Sequence, residues 1–146
     1  MRKVLLLHGP NLNRLGRRDR RFYPAVSLEE LERQVATWGR LHGLDVSPLQ
    51  SNHEGALVDA LQQASDWAFG ALVNFGALSH TSYVLHDALL DFGRPAVEVH
   101  LSNVGEREEW RRKSVVRAAC VGSVAGRGIE GYREALEILV EANGNG

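Results

Sequence analysis

The sequence predicts an α/β fold with a parallel sheet covered on both faces, and three observations carry that expectation. Short apolar runs alternate with segments of helical period along the whole chain. No internal repeat, linker or low-complexity stretch interrupts the alternation before the Asn143–Gly146 tail. Polar residues gather after four successive strand candidates, where open parallel sheets of this class keep their ligand crevice.

Taken in order, the first strand candidate is Lys3–His8. The helix after it opens on an S-x-x-E capping box, Ser27–Glu30, puts Leu28, Leu31, Val35 and Trp38 on one face, and stops near Gly43, the expected C′ residue. Leu44–Gln50 is the second strand, followed by a helix from about Glu54 that buries Leu57, Leu61 and Ala64. The third strand, Ala71–Asn74, leads to a helix from about Thr81 that presents Val84 or Leu85 with Ala88 and Leu89 and ends before Gly93. Ala96–Leu101 is the fourth strand and precedes a short charged helix near Glu106–Arg112. The fifth strand, Ala118–Val124, precedes a final helix from about Ile129 to Ala142.

With 146 residues the chain suits one domain, 1–146, large enough to bury roughly two-thirds of its unfolded surface. A net charge of -1 argues against general nucleic-acid affinity. The lone Cys120 leaves no internal disulfide framework and no cysteine-rich metal site. No apolar run approaches the ~18 residues of a membrane span, and no secretory signal is evident, so a cytoplasmic protein without a membrane partner is expected.

The polar blocks are His8–Asn13, Ser51–Glu54, Asn74–His80 and His100–Asn103. After one strand such residues are ordinary turn chemistry; after four they describe one crevice. The loop between the first strand and first helix adds Tyr23 at the end of a run containing Arg14, Arg17, Arg18, Arg20 and Arg21 against the single acid Asp19. Cations near a phenol favour its anion, which makes Tyr23 a candidate base, although the segment also fits a solvated loop with a packed tyrosine. His100 is a candidate general acid. Glu98 and Ser102 lie two residues away and share its strand face if the strand continues through them, and a carboxylate beside the imidazole would orient it and favour its charged form. A half-buried histidine with a satisfied hydrogen bond is the alternative.

HGPNLNRLG at His8–Gly16, QSNHEG at Gln50–Gly55, VNFGALSHTS at Val73–Ser82 and EVHLSN at Glu98–Asn103 follow in the order and spacing of one enzyme family. From about Val4 to about Leu139 the chain resembles type II 3-dehydroquinate dehydratase. The resemblance implies a flavodoxin-like three-layer sandwich with a five-stranded parallel sheet in the order 2-1-3-4-5. It also implies a hydro-lyase that eliminates water from 3-dehydroquinate through an enolate, with no metal or other cofactor, in the shikimate pathway or in quinate breakdown.

Carried over position by position, the resemblance makes Tyr23 the base, Arg18 the arginine that activates it, and Asn11 the residue holding a water at the enolate oxygen. His100 is the acid and Glu98 its partner. Asn74, His80, Leu101 and Ser102 bind substrate, the last two through backbone N–H groups on the carboxylate, and Arg111 holds ring hydroxyls. Asp87 reaches a neighbouring subunit's site in a homo-oligomer, a dodecamer built of trimers. Singly, Asn11 also reads as a turn former, Asp87 as a helix surface charge and Arg111 as a solvated helix residue. Where the family loop reads R-E-P-x-x-Y-G, this chain has Arg18 to Pro24, so Pro24 restricts Tyr23, the proline is lost at Arg20, and altered loop closure is expected.

Other chemistries fit less well. Gly126–Gly131 matches G-x-G-x-x-G but lies at the wrong end of the chain to open a βαβ unit. His53-Glu54 lacks the rest of a zinc motif. An imine route would need Lys3 or Lys113, and neither belongs to the polar blocks. A flavodoxin-like protein that binds a small anion without turnover is the alternative from another class.

Overall fold

The computed structural model describes residues 1–144, so the last two residues of the expected Asn143–Gly146 tail lie outside it. Strands β1 (Arg2–His8), β2 (Leu44–Gln50), β3 (Ala68–Asn74), β4 (Ala96–His100) and β5 (Gly122–Ala125) form one parallel sheet in the order β2-β1-β3-β4-β5. Helices α1 (Leu28–Leu41), α2 (Glu54–Ala64), α3 (Tyr83–Phe92) and α4 (Glu130–Gly144) cover it. This is the expected flavodoxin-like order.

Successive strand residues point to opposite faces, and the core divides accordingly. Leu5, Leu7, Ala71 and Val73 pack with Leu57 and Leu61 of α2 and Leu85 and Leu89 of α3. Val4, Leu6, Leu72, Val97 and Val99 pack with Leu31 and Val35 of α1 and Tyr132, Leu136 and Leu139 of α4. The result is three layers, with the polar blocks at the carboxyl edge of the middle one. The predicted caps are in place: Ser27 Oγ accepts from the Glu30 N–H at 3.1 Å, and Gly43 follows α1 with a φ of 71°. No helix among the described residues is long and apolar enough to cross a membrane.

Four boundaries differ from expectation. β3 begins at Ala68, because Gly70 can tuck against Leu139 and Pro95 where a side chain would collide. The apolar run before β5 is not strand: Arg117–Ala119 forms a 3₁₀ turn, Val115 and Val116 join the core beside α2 and α3, and pairing starts only at Gly122. The charged helix expected at Glu106–Arg112 is two short 3₁₀ turns, Val104–Glu106 and Glu109–Arg111, broken at Arg107, whose backbone is extended. β4 stops at His100, so Ser102 lies beyond the strand rather than on the face shared by Glu98 and His100.

Candidate active site

The ends of β1, β3 and β4 wall one cleft. Asn11 lies after β1, Asn74 and His80 after β3, and His100, Leu101 and Ser102 at the end of β4. Arg18 and Tyr23 enter from the β1–α1 loop, and Arg107 and Arg111 from the segment after β4. Close approach of the first two walls requires Gly9, where a Cβ would meet the Phe75 carbonyl oxygen at 2.6 Å. The block after β2 does not line the cleft. With the last residue of β2 it braces it instead: Asn52 Oδ1 accepts from the Asn11 N–H at 3.0 Å, and Gln50 Nε2 donates to the Gly9 carbonyl at 3.1 Å.

The β1–α1 loop is held by contacts among its own residues. Asp19 accepts from Arg21 Nε at 3.0 Å and from Nη2 at 2.6 Å, and its carbonyl accepts from the Phe22 and Tyr23 N–H groups at 3.1 and 3.0 Å. The Arg21 bonds hold the Asp19 carboxyl down at about 2. This turn faces Tyr23 inward. Arg18 lies with its guanidinium 3.9 Å from the centroid of the Tyr23 ring.

Arg107 is the cleft residue that sequence pattern does not single out, since it falls inside the expected charged helix Glu106–Arg112. Its Nη1 donates to the Tyr23 hydroxyl at 2.8 Å and to Ser102 Oγ at 3.3 Å, and its guanidinium lies 4.2 Å from the Phe22 centroid. The extended backbone at the break between the 3₁₀ turns is what turns this side chain into the cleft. The signal available in the sequence was position: a lone basic residue close after the His100–Asn103 block.

His100 and Glu98 are buried on one face of β4, with His100 Nε2 3.3 Å from Glu98 Oε2. That distance suits an ion pair once the ring is protonated, but the direction does not suit an N–H bond, and Nε2 has no hydrogen-bond partner among the described residues. Glu98 also accepts from Ser114 Oγ, from Ser123 Oγ at 3.0 Å and from Arg117 Nε at 3.2 Å. Burial pushes its carboxyl up, but the contact and charge of His100, with Ser114 and Arg117, outweigh burial and hold it at about 2. A buried anion thus stands behind His100, its charge shared with Arg117.

His80 stacks on His100 with ring centroids 5.9 Å apart, and its Nδ1 donates to the Lys113 carbonyl at 2.7 Å. Burial lowers its pKa against the raising effect of the Lys113 carbonyl, with His100 and Arg111 adding to the lowering, which favours the neutral ring with Nε2 as an acceptor. Trp110 meets His80 edge-on at 5.5 Å and carries the Arg111 guanidinium 4.0 Å above its ring, while Arg111 Nε donates to Glu108. Asn74 is fixed in its amide orientation, since Oδ1 accepts from the Gly76 N–H at 3.1 Å. Asp87 is exposed on α3 and does not line the cleft of its own chain.

Neither Lys3 nor Lys113 lines the cleft. The Gly126–Gly131 motif forms the turn between β5 and α4. Among the described residues no group of three or more His, Cys, Asp or Glu side chains could hold a metal ion.

The chain is similar throughout to proteins of one kind. The family model for Dehydroquinase class II matches residues 2–140. The 3-dehydroquinate dehydratase of Deinococcus radiodurans is 48% identical over 94% of this chain and 97% of its own, and that of Thermotoga maritima is 45% identical over 94% of each. The crystal structure of a type II dehydroquinase from Butyrivibrio crossotus superposes with a TM-score of 0.92 at 39% identity, covering 95% of this chain and 97% of the other. With the sheet order, the cleft and these likenesses in agreement, the chain belongs to the class II dehydroquinase family.

Proposed function

We propose that the protein eliminates water from 3-dehydroquinate to give 3-dehydroshikimate through an enolate, with Tyr23 as base and His100 as acid. The observation that carries this reading is one cleft holding a tyrosine hydroxyl bonded to a guanidinium together with a histidine backed by a buried carboxylate.

Tyr23, as tyrosinate, takes a proton from the carbon alpha to the ketone, and the C–H electron pair moves into the enolate. Arg107 at the hydroxyl and Arg18 over the ring place two positive charges where a phenolate's charge resides. The enolate oxygen is assigned to a water held by Asn11. As the ketone re-forms, the electron pair expels the hydroxyl at the next carbon, and His100 gives it the proton that makes water. Return of a proton from Tyr23 to His100 through solvent completes the cycle. The substrate carboxylate is assigned to Asn74 and to the Leu101 and Ser102 N–H groups. The ring hydroxyls are assigned to the His80 acceptor and to Arg111.

Trimers that pack into a dodecamer belong to the same reading, with Asp87 serving a neighbour's cleft. Its exposure beside the exposed apolar residues Tyr83, Val84 and Leu90 on α3 supports a buried role in an assembly. We place in the same reading a shikimate-pathway role in the cytoplasm and one dehydratase domain spanning 1–146.

Ultraviolet detection of the conjugated enone formed from 3-dehydroquinate tests the reaction. Turnover with no lysine adduct after borohydride is expected. An inactive protein, or a lysine-bound product by mass spectrometry, would contradict it.

A further inference from the structure

The Gly126–Gly131 turn stands behind the β4 end of the cleft and bonds to it. The Gly126 N–H donates to the His100 carbonyl at 3.3 Å, and the Gly128 N–H donates to the Leu101 carbonyl at 3.1 Å. In a trans peptide the carbonyl and the next N–H point opposite ways. Holding these two carbonyls toward the turn therefore aims the Leu101 and Ser102 N–H groups away from it, and both residues line the cleft. Both are buried, and among the described residues neither N–H donates to a protein acceptor. Buried backbone donors rarely stay unpaired, so this pair awaits an acceptor from outside the chain. The turn itself depends on glycine, with φ of 76° at Gly126 and 55° at Gly128, and a Cβ on Gly126 would come within 3.0 Å of the Asn103 Cβ.

The residue after this motif reaches the other wall of the same corner. Tyr132 is fully buried, with its hydroxyl 3.1 Å from Asn74 Nδ2 and 2.7 Å from His8 Nε2. Because Asn74 Oδ1 is committed to the Gly76 N–H, Nδ2 gives one hydrogen to Tyr132 and keeps the other for the cleft. Burial pushes His8 down to about 3, so its neutral ring can accept the hydroxyl proton of Tyr132. Each atom of the His8–Tyr132–Asn74 chain thus has one assignable direction.

We propose that Tyr132 and the Gly126–Gly128 turn are positioning elements of an anion subsite: together they aim an Asn74 N–H and the Leu101 and Ser102 N–H groups at a single carboxylate. That the anion is a ring carboxylate rests on the dehydratase reading.

Calorimetric titration with quinate and with its methyl ester probes the subsite without turnover, in wild type, Tyr132→Phe, Gly128→Val and Gly128→Asn. Tyr132→Phe should weaken the acid roughly ten-fold, as losing a charge-assisted bond does, while changing the ester by less than about two-fold. Gly128→Val should share that pattern because a β-branched residue resists positive φ, and Gly128→Asn, which tolerates it, should recover most of the affinity. On 3-dehydroquinate the loss in Tyr132→Phe should fall in KM rather than kcat. A folded Tyr132→Phe protein that binds the acid like wild type, or that loses acid and ester equally, would overturn the positioning role. The acid-selective pattern in a wild-type protein that does not turn over would uphold the subsite and count against the dehydratase reading alone.

Discussion

Arg107 Nη1 donates to the Tyr23 hydroxyl at 2.8 Å, whereas the Arg18 guanidinium faces the ring of the same tyrosine at 3.9 Å. One cation meets the oxygen and the other the π face, so guanidiniums from two different loops converge on one phenol. Arg107 also donates to Ser102, which links Tyr23 to the end of β4.

Arg18→Ala and Arg107→Ala should each lower kcat by at least about ten-fold, the scale of a lost hydrogen bond or contact to a charged group. Acting on one side chain, they should not be additive: the double variant loses less than the product of the singles. Steady-state kinetics on the three variants checks this, and fully multiplicative losses would show that the two arginines do not share Tyr23.

Arg20 and Arg21 should separate by salt. Arg21 is committed to Asp19 within the loop turn, so Arg21→Ala should loosen the loop and reduce kcat/KM at all ionic strengths. Exposed Arg20 contributes field rather than structure, so the loss in Arg20→Ala should shrink as salt screens it over a Debye length of about 10 Å or less. Identical salt dependence for the two variants would contradict the loop geometry.

Acid should unfold the protein in two overlapping steps. Burial lowers His8 from 6.5 to about 3, so between those values the unfolded chain binds a proton that the folded one refuses. Glu98, lowered from 4.5 to about 2, does the same in its own window. Both folded values are depressed, so their contributions are fully present above the unfolded values and lost as pH falls through the folded ones. Denaturant midpoints should therefore fall below pH about 6.5, and His8→Gln should flatten the slope down to about 4.5 while leaving the steeper acid limb. An unchanged slope in His8→Gln would mean that His8 is not held neutral.

Sedimentation should find a multiple of three subunits, and Asp87→Asn should impair turnover although Asp87 does not line its own chain's cleft. A fully active monomer would remove both the trimer and the role of Asp87.

Much of the sheet was legible because hydrophobic period and capping chemistry act locally: Ser27, Glu30 and Gly43 mark α1 without any tertiary information. The fifth strand starts later than the expected Ala118 because an apolar run reports burial, not pairing: Arg117–Ala119 is a 3₁₀ turn and pairing begins at Gly122. The start of β3 was missed because Gly70 carries no strand signal and serves packing against Leu139. In the site, residues within the polar blocks were placed from the sequence, but Arg107 and Tyr132 were not. Arg107 depends on a backbone break inside a helix-like charged segment, and Tyr132 on a contact from α4 to the far ends of β1 and β3, 124 and 58 residues away along the chain. Neither relation leaves a local pattern.

Everything proposed for the reaction turns on Tyr23 as base. The direct measurement is turnover of 3-dehydroquinate by Tyr23→Phe, followed by enone absorbance, beside calorimetric binding of quinate to the same protein. Tyr23→Phe should lose at least ~10²-fold in kcat, typical of a lost general base, and keep quinate affinity within about three-fold of wild type because the carboxylate subsite is untouched. Near-normal kcat in a folded Tyr23→Phe protein would contradict that role.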